Sequence, residues 1–107
     1  MVNMIYIKTH IAENGSVVAM CDESLIDKVL SEGEVQMDLK SYNSFYKGEL
    51  VNEERAKEII LMQKTIYSAN VVGKESIEIA LETGIIEKEN VLKIQKIPYA
   101  QAFKVDY

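Results

Sequence analysis

Apolar and polar residues alternate near the start of the chain in a way that predicts two strands. Residues 4–11 and 16–21 place apolar side chains at every second position, as Ile5 and Ile7 show. Between them lies Asn14-Gly15, a pair favoured in two-residue hairpin turns because both residues tolerate positive φ. The pattern therefore predicts a β-hairpin at the start of the fold.

Two stretches with apolar residues at helical spacing follow the hairpin. The first runs from Glu23 to about Leu30 behind Asp22, whose carboxylate can accept from the free amides of a first helical turn. The second begins after Asn52 as its cap, and its apolar run Ile59–Met62 surrounds more than one face. We expect this second helix to be buried on two sides, within the fold or against a partner.

A third helix is predicted from Asn70 to Thr83, with Asn70 as its cap and Gly84 as its C-terminal stop. It contains the pair Gly73-Lys74, which raises the question of a phosphate-binding loop. Such a loop needs glycine at position 68 and Ser or Thr at position 75, where this chain has Ser68 and Glu75. The sequence thus favours close packing or a turn at Gly73, with a weak anion contact at the helix start as the alternative.

Residues 35–40 alternate strictly and predict a strand with one buried face, whereas residues 41–50 predict a loop. At the end of the chain, two strand-like segments, 91–97 and 99–107, flank Pro98, which predicts an edge, a bend or a sheet corner there. The order of elements predicts an α+β fold in two layers. Its small mixed or antiparallel sheet starts with the β-hairpin and packs against about three helices.

Length and composition predict one globular domain over residues 1–107, because 48% of the residues are apolar and 27% are charged. The single cysteine, Cys21, excludes an internal disulfide and suits a reducing compartment. No apolar run is long enough to span a membrane, and the first residues lack the pattern of a signal peptide. We therefore expect a cytoplasmic protein without a membrane partner.

The net charge of −5 argues against a general nucleic-acid binder, which needs a broad basic field. The C-terminal segment is nevertheless locally basic. Its lysines interleave with aromatic residues: Lys93, Lys96 and Lys104 with Tyr99, Phe103 and Tyr107. Lysines can meet phosphates while rings stack on unpaired bases, so RNA could bind here. The alternative is an edge strand on which lysines discourage aggregation.

No catalytic set is evident. His10 and Cys21 could form a nucleophilic pair if the hairpin brings them together, but Asp22 and Glu23 beside the cysteine disfavour its thiolate. One cysteine and one histidine do not complete the usual four-ligand zinc site, which leaves a carboxylate-assisted site with His10 and Asp22 as an alternative. We predict no metal and no cofactor.

Five short segments occur in order along the chain: KTH at 8–10, VVAMCDESL at 17–25, FYKGELVNEERA at 45–56, ANVVGKESIEIALETGII at 69–86 and IPYAQ at 97–101. Together they resemble a small archaeal family known as domain of unknown function 424, over nearly the whole chain. The residues that match its pattern are His10, Cys21, Asp22, Phe45, Tyr46, Gly48, Asn70, Gly73, Pro98 and Gln101. The chain departs from it at Tyr99, where the family has histidine, and at Asp27, where it has glycine.

The resemblance implies a compact two-layer α+β domain from an archaeal cytoplasm, with no established activity. Genes of this family are associated with translation-initiation genes, which implies a role near the ribosome or an initiation factor. Because Tyr99 replaces a histidine, a shared proton-transfer reaction would not survive in this chain. A shared binding surface would survive, since tyrosine keeps a flat ring and a polar tip.

The leading hypothesis is a non-catalytic binding or adaptor module that serves translation or RNA metabolism. The residues proposed for binding are His10, Cys21, Asp22, Tyr46, Asn70, Gly73, Pro98, Tyr99 and Gln101. The alternative is a small enzyme or ligand-binding protein that uses His10, Cys21 and Asp22. A homodimer formed through Ile59–Met62 or through a C-terminal edge strand is compatible with either.

Overall fold

The computed structural model describes residues 4–103, so predictions for Lys104 and Tyr107 lie outside the described residues. The α+β prediction is confirmed as a mixed fold with a six-stranded, mostly antiparallel sheet and three α-helices. The strands are β1 (Ile5–Ala12), β2 (Gly15–Asp22), β3 (Val29–Glu32), β4 (Val35–Asp38), β5 (Glu49–Val51), β6 (Ile66–Val72), β7 (Val91–Ile94) and β8 (Ile97–Phe103). The helices are α1 (Asn43–Tyr46), α2 (Glu53–Leu61) and α3 (Lys74–Thr83).

The main sheet has the strand order β5-β1-β2-β6-β8-β7, and β3 pairs with β4 in a separate two-stranded sheet. Strands β1 and β2 pair antiparallel, from Ile5 opposite Asp22 to Ala12 opposite Gly15. The turn residues are therefore Glu13 and Asn14, and the predicted turn pair Asn14-Gly15 is wrong by one position, because Gly15 already pairs within β2. Strands β2 and β6 run parallel, and β6, β8 and β7 continue antiparallel. The order places β6 and β8 inside the sheet and β5 and β7 at its edges.

One face of the main sheet, the helix face, packs against α2 and α3. Alternate strand residues such as Ile7, Val18 and Val71 meet Ile60 and Ile77 of the helices in one apolar cluster. The side chains alternate because successive strand residues point to opposite faces. The opposite face, named the open face below, is covered at one end by a second apolar cluster from β3, β4 and their neighbours.

The helix predicted from Glu23 to Leu30 is wrong. Only Glu23–Leu25 makes a single 3-10 turn, and β3 begins at Val29. Ile26 is extended, with a ψ of 144°, which ends the helical path. Asp27 then adopts a φ of 70°, a left-handed conformation that glycine adopts most readily. The glycine that the resemblance implies at this position would suit this backbone. The buried Leu25 and Leu30 pack from a turn and a strand rather than from one helix.

Two predicted helices are present with changed boundaries. Asn52 caps α2 as predicted, because its side chain accepts a hydrogen bond of 2.9 Å from the N–H of Arg55. The predicted cap Asn70 is wrong, since this residue lies within β6 and α3 begins at Lys74. Gly84 ends α3 in the left-handed conformation, with a φ of 78°, as predicted. The predicted loop 41–50 contains α1 and β5.

The break predicted at Pro98 is displaced. The chain turns at Gln95 and Lys96, which have φ values of 51° and 66°, and Pro98 lies within β8. Proline is tolerated there because the pairing of β6 with β8 ends at Val72 opposite Tyr99, before Pro98 is reached. As predicted, β8 alternates between buried and outward residues, but the edge of the sheet is β7 rather than the last segment.

Candidate functional site

The strand register divides the predicted binding residues between the two faces of the main sheet. Directly paired residues of neighbouring strands point to the same face. Tyr99 pairs with Val72, which pairs with Cys21, and this row points to the open face. Asp22 and Pro98 belong to the alternate rows and point to the helix face.

An amide pair lies on the open face, on the neighbouring inner strands β6 and β8. Asn70 of β6 is directly opposite Gln101 of β8, and the next pair along the strands is Ser68 with Phe103. Gln101 is exposed, Asn70 is half-buried, and the side chain of Phe103 is 60% exposed. The Tyr67 ring meets the Phe103 ring edge-on at 6.0 Å between centroids. Two amides and the exposed Phe103 ring thus form an outward-facing surface that can bind a partner, and Tyr67 packs against that ring.

His10 lies on the same face, beneath α1. Its ring stacks on Phe45 at 4.6 Å between centroids, and its Nε2 is 2.9 Å from the carbonyl oxygen of Phe45. Tyr46 of the same short helix packs against the second apolar cluster, and burial raises the pKa of its hydroxyl to about 12. His10 and Tyr46 therefore hold α1 on the sheet, which gives both residues a structural role.

Cys21 is fully buried and does not meet His10. The hairpin register places Cys21 opposite Tyr6 and His10 opposite Val17. Four strand residues separate the two positions, which is about 13 Å along a strand. Burial, followed by the charge of Asp22, raises the pKa of the Cys21 thiol to about 12. The nucleophilic pair that the sequence leaves open is therefore not assembled in this structure.

Asp22 supplies the cap of α3. One carboxylate oxygen accepts from the N–H and the hydroxyl of Ser76, at 2.8 and 2.7 Å, and the other accepts from the N–H of Glu75 at 3.2 Å. The residue is only 5% exposed, and Ser76 is fully buried. Gly73 makes this contact possible, because a Cβ there would lie 2.6 Å from Oδ1 of Asp22 and even closer to Cγ and Oδ2. The helix start that the sequence suggested for an anion is filled by the chain's own carboxylate.

The carboxyl groups of Asp22 and Glu75 interact directly. Burial is the largest cause that raises the pKa of Asp22 to about 6, and a hydrogen bond with the Glu75 side chain raises it further, against the effect of the Ser76 donors. The same hydrogen bond lowers the pKa of Glu75. The pair therefore shares a proton that resides on Asp22 at mildly acidic pH.

A cavity of about 470 Å³, the end cavity, opens beside this carboxyl pair. It is lined by Asp22 and Pro98, which the sequence singled out for binding, and by Lys93 and Lys96, which it singled out for RNA. Lys74 also lines it, and no local pattern in the sequence connects this lysine with the other two. The carbonyl of Pro98 accepts from the N–H of Gly73 at 2.8 Å, which fixes the floor of the cavity to the start of α3.

A larger cavity, of about 550 Å³, lies at the opposite end between the C-terminal ends of α2 and α3. Ile60, Leu61 and Phe103 line it together with polar residues such as Gln63 and Asn90. Ile59 and Ile60 of the predicted dimer helix are buried, whereas Leu61 is 74% exposed. The homodimer remains a prediction. Among residues 4–103, no group of three or more His, Cys, Asp or Glu is placed to hold a metal ion.

The sequence of this chain matches a known protein family. The model of a family described as Protein of unknown function (DUF424) matches residues 9–105. The chain belongs to this family. A comparison with proteins of curated function gave no match. Asp22, Gly73 and Pro98, on which the resemblance is based, contact one another beside the end cavity, and Asn70 pairs with Gln101 on the open face.

A solved structure resembles the DUF424 chain in fold. It is the crystal structure of an uncharacterized conserved protein from the archaeon Methanopyrus kandleri, with a TM-score of 0.78 and 20% sequence identity. The match covers 94% of this chain and 90% of the other. At this identity the likeness supports the arrangement of helices and strands. None of the helices in the described part of the chain is long and apolar enough to cross a membrane.

Proposed function

We propose that this protein is a non-catalytic binding module that docks a protein partner on the open face of its sheet. The partner that we propose belongs to the translation apparatus, the association that the family resemblance implies. The observation that carries the proposal is the outward-facing surface formed by Asn70, Gln101 and Phe103 on the neighbouring inner strands β6 and β8, with Tyr67 packed against Phe103. Leu92 of the neighbouring edge strand adds a further apolar side chain that is 57% exposed.

The composition of this surface matches the centre of a protein interface. Such centres are enriched in aromatic residues and depleted of charged ones. Phe103 can act as an apolar anchor, while the amides of Asn70 and Gln101 each offer a donor and an acceptor. The ordered strands hold these side chains in place before binding, which lowers the entropy lost on association. A neutral partner surface with an apolar pocket beside backbone amides fits this arrangement.

RNA is the less favoured partner for this surface. Single-stranded RNA requires lysines beside the stacking rings. In this fold Lys93 points to the helix face, because it pairs with Pro98 and lies two residues from Val91, which pairs with the buried Ala100. Phe103 points to the open face, so its ring and Lys93 lie on opposite faces of the sheet. The net charge of −5 also disfavours a polyanion as the main partner.

The test is a tagged pull-down from an extract of cells that naturally produce the protein, split into nuclease-treated and untreated halves. The expected result is a protein partner that persists after nuclease, with an interaction that Phe103→Ser abolishes. The matched control is Ile11→Ser, because Ile11 is 93% exposed at the end of β1 and points away from the open face. Both substitutions remove an exposed apolar side chain, so both variants should fold.

Three results would overturn the proposal. A partner lost after nuclease would indicate RNA bridging. An equal loss with Phe103→Ser and Ile11→Ser would indicate nonspecific apolar adhesion. No partner in either half would remove the adaptor function and favour a small-ligand protein.

A further inference from the structure

We propose that the end cavity is a binding site for a small organic phosphate, with Lys74, Lys93 and Lys96 as the residues that hold the phosphate. This site is separate from the docking surface on the open face and does not depend on it. The three lysines come from three segments: the first residue of α3, strand β7 and the turn between β7 and β8. The fold therefore gathers ammonium groups that are distant along the chain around one cavity.

The volume of the cavity, about 470 Å³, is in the range of small-molecule sites. Its wall combines the lysines with the apolar side chains of Leu25, Ile97 and Pro98. Ser24, whose hydroxyl can donate, also lines the cavity. The arrangement accommodates a charged group at the lysines and an apolar body against the wall.

The backbone at Lys96 provides independent support. Gln95 and Lys96 have φ values of 51° and 66° and form the two-residue connection between Ile94 and Ile97. Asn-Gly is favoured in such a turn, because side chains larger than those of Gly and Asn are disfavoured at positive φ. A lysine in this conformation is strained, and strained residues occur preferentially at ligand sites. Lysine at this position lines the cavity despite the strain, whereas glycine would relieve the strain but contribute no ammonium group.

Two carboxyl groups also line the cavity, and both are engaged internally. Asp22 accepts hydrogen bonds from Ser76 and Glu75 at the start of α3, and Glu75 interacts with Asp22. The carboxylate of Asp22 thus occupies the helix start, and a ligand is left to the three lysines. With three lysines against two acids, the cavity has a net positive charge on a protein whose net charge is −5.

Phosphate fits these residues better than a carboxylate does. A planar carboxylate is matched by the fork of an arginine, whereas lysines act as point charges that can approach a tetrahedral phosphate from several directions. The only arginine of the chain is Arg55 of α2, which interacts with Glu49 and Glu58 rather than with the cavity. The apolar wall explains why the ligand would be an organic phosphate rather than the free ion.

The test is an NMR titration of ¹⁵N-labelled protein with phenyl phosphate, which joins a phosphate to an apolar ring. We expect saturable shifts at the amides of residues 74–76 and 93–97, with a dissociation constant of about 1 mM or lower. Benzoate, which carries a carboxylate on the same ring, should bind more weakly. The absence of saturable shifts, or equal binding of benzoate, would overturn the proposal.

The variants separate binding from folding. Lys93→Gln should weaken the binding of phenyl phosphate several-fold. The matched control, Lys64→Gln, makes the same charge change beside the hairpin turn at the far end of β2 and should leave binding unchanged. Lys96→Gly should weaken binding and also raise the midpoint of urea unfolding, because it relieves the strained φ. Equal effects of Lys93→Gln and Lys64→Gln, or a lowered midpoint for Lys96→Gly, would contradict the reasoning.

Discussion

Replacing Gly73 by alanine tests the contact on which the start of α3 depends. The backbone at this position has a φ of 109°, and an added Cβ would overlap the Asp22 carboxylate. With a ψ of 155°, this backbone lies in a region essentially restricted to glycine, which costs another residue about 1–3 kcal/mol. The overlap would also displace Asp22, which removes the helix cap at about 1–2 kcal/mol. The buried donors of Ser76 would then be left unsatisfied, at about 1–3 kcal/mol each. The lost cap and the unsatisfied donors involve the same hydrogen bonds, so these figures overlap. We expect Gly73→Ala to lower the free energy of unfolding by about 4 kcal/mol or more.

Two other glycines provide matched controls. Gly33 and Gly84 have φ values of 60° and 78°, and no atom lies within 4 Å of a Cβ built on either residue. Their alanine variants carry the backbone strain without the collision, so each should lose only about 1–2 kcal/mol. Urea unfolding followed by circular dichroism gives the three values. If Gly73→Ala were no more damaging than Gly84→Ala, the close approach of Asp22 to α3 would be incorrect.

A double variant keeps the test decisive even if Gly73→Ala alone does not fold, since a loss of this size approaches the total stability of many domains. Asp22→Ala removes the carboxylate with which the new Cβ collides. The combined variant should therefore be less destabilised than the sum of the two single changes, by about 2 kcal/mol. Strict additivity would show that Gly73 and Asp22 act independently, against the observed geometry.

Two further predictions concern buried titratable groups. The folded pKa of Asp22, about 6, lies above its ordinary value of 3.8, so the stability that it contributes is complete below pH 3.8 and is lost as the pH rises through 6. The stability of Asp22→Asn relative to the wild type should therefore rise by up to about 3 kcal/mol between about pH 4 and pH 7. The lowered pKa of Glu75 has the opposite effect and reduces this rise. A stability difference that does not change with pH would contradict this. Cys21 should react with iodoacetamide at neutral pH only after unfolding, because it is buried and its thiol pKa is about 12. Rapid alkylation of the native protein would show that the thiol is accessible.

The sequence could predict the elements whose signals are local. The alternation at residues 4–11, the cap Asn52 and the helix stop Gly84 each depend on neighbours a few residues away, and the structure agrees with all three. The separation of His10 from Cys21 was also predictable, because residues across a tight hairpin are paired by counting outward from the turn. The pairing of Asn70 with Gln101 was not, since β6 and β8 meet through tertiary packing.

Asp22 shows why part of the site could not be found by local reasoning. An aspartate before an apolar segment predicts a cap for the helix that follows it, which in the sequence is the segment from Glu23 to Leu30. The carboxylate instead caps a helix whose first turn lies 54 residues later, because β2 and β6 run parallel and bring the end of β2 to the start of α3. The start of α3 also carries Lys74, which lines the same cavity as Lys93 and Lys96. The position of the Asp22 carboxylate at the helix start and the position of Lys74 at the end cavity therefore both follow from where α3 begins in the fold. A substitution that displaces Asp22 should consequently change the residues around the end cavity more than those of the open face.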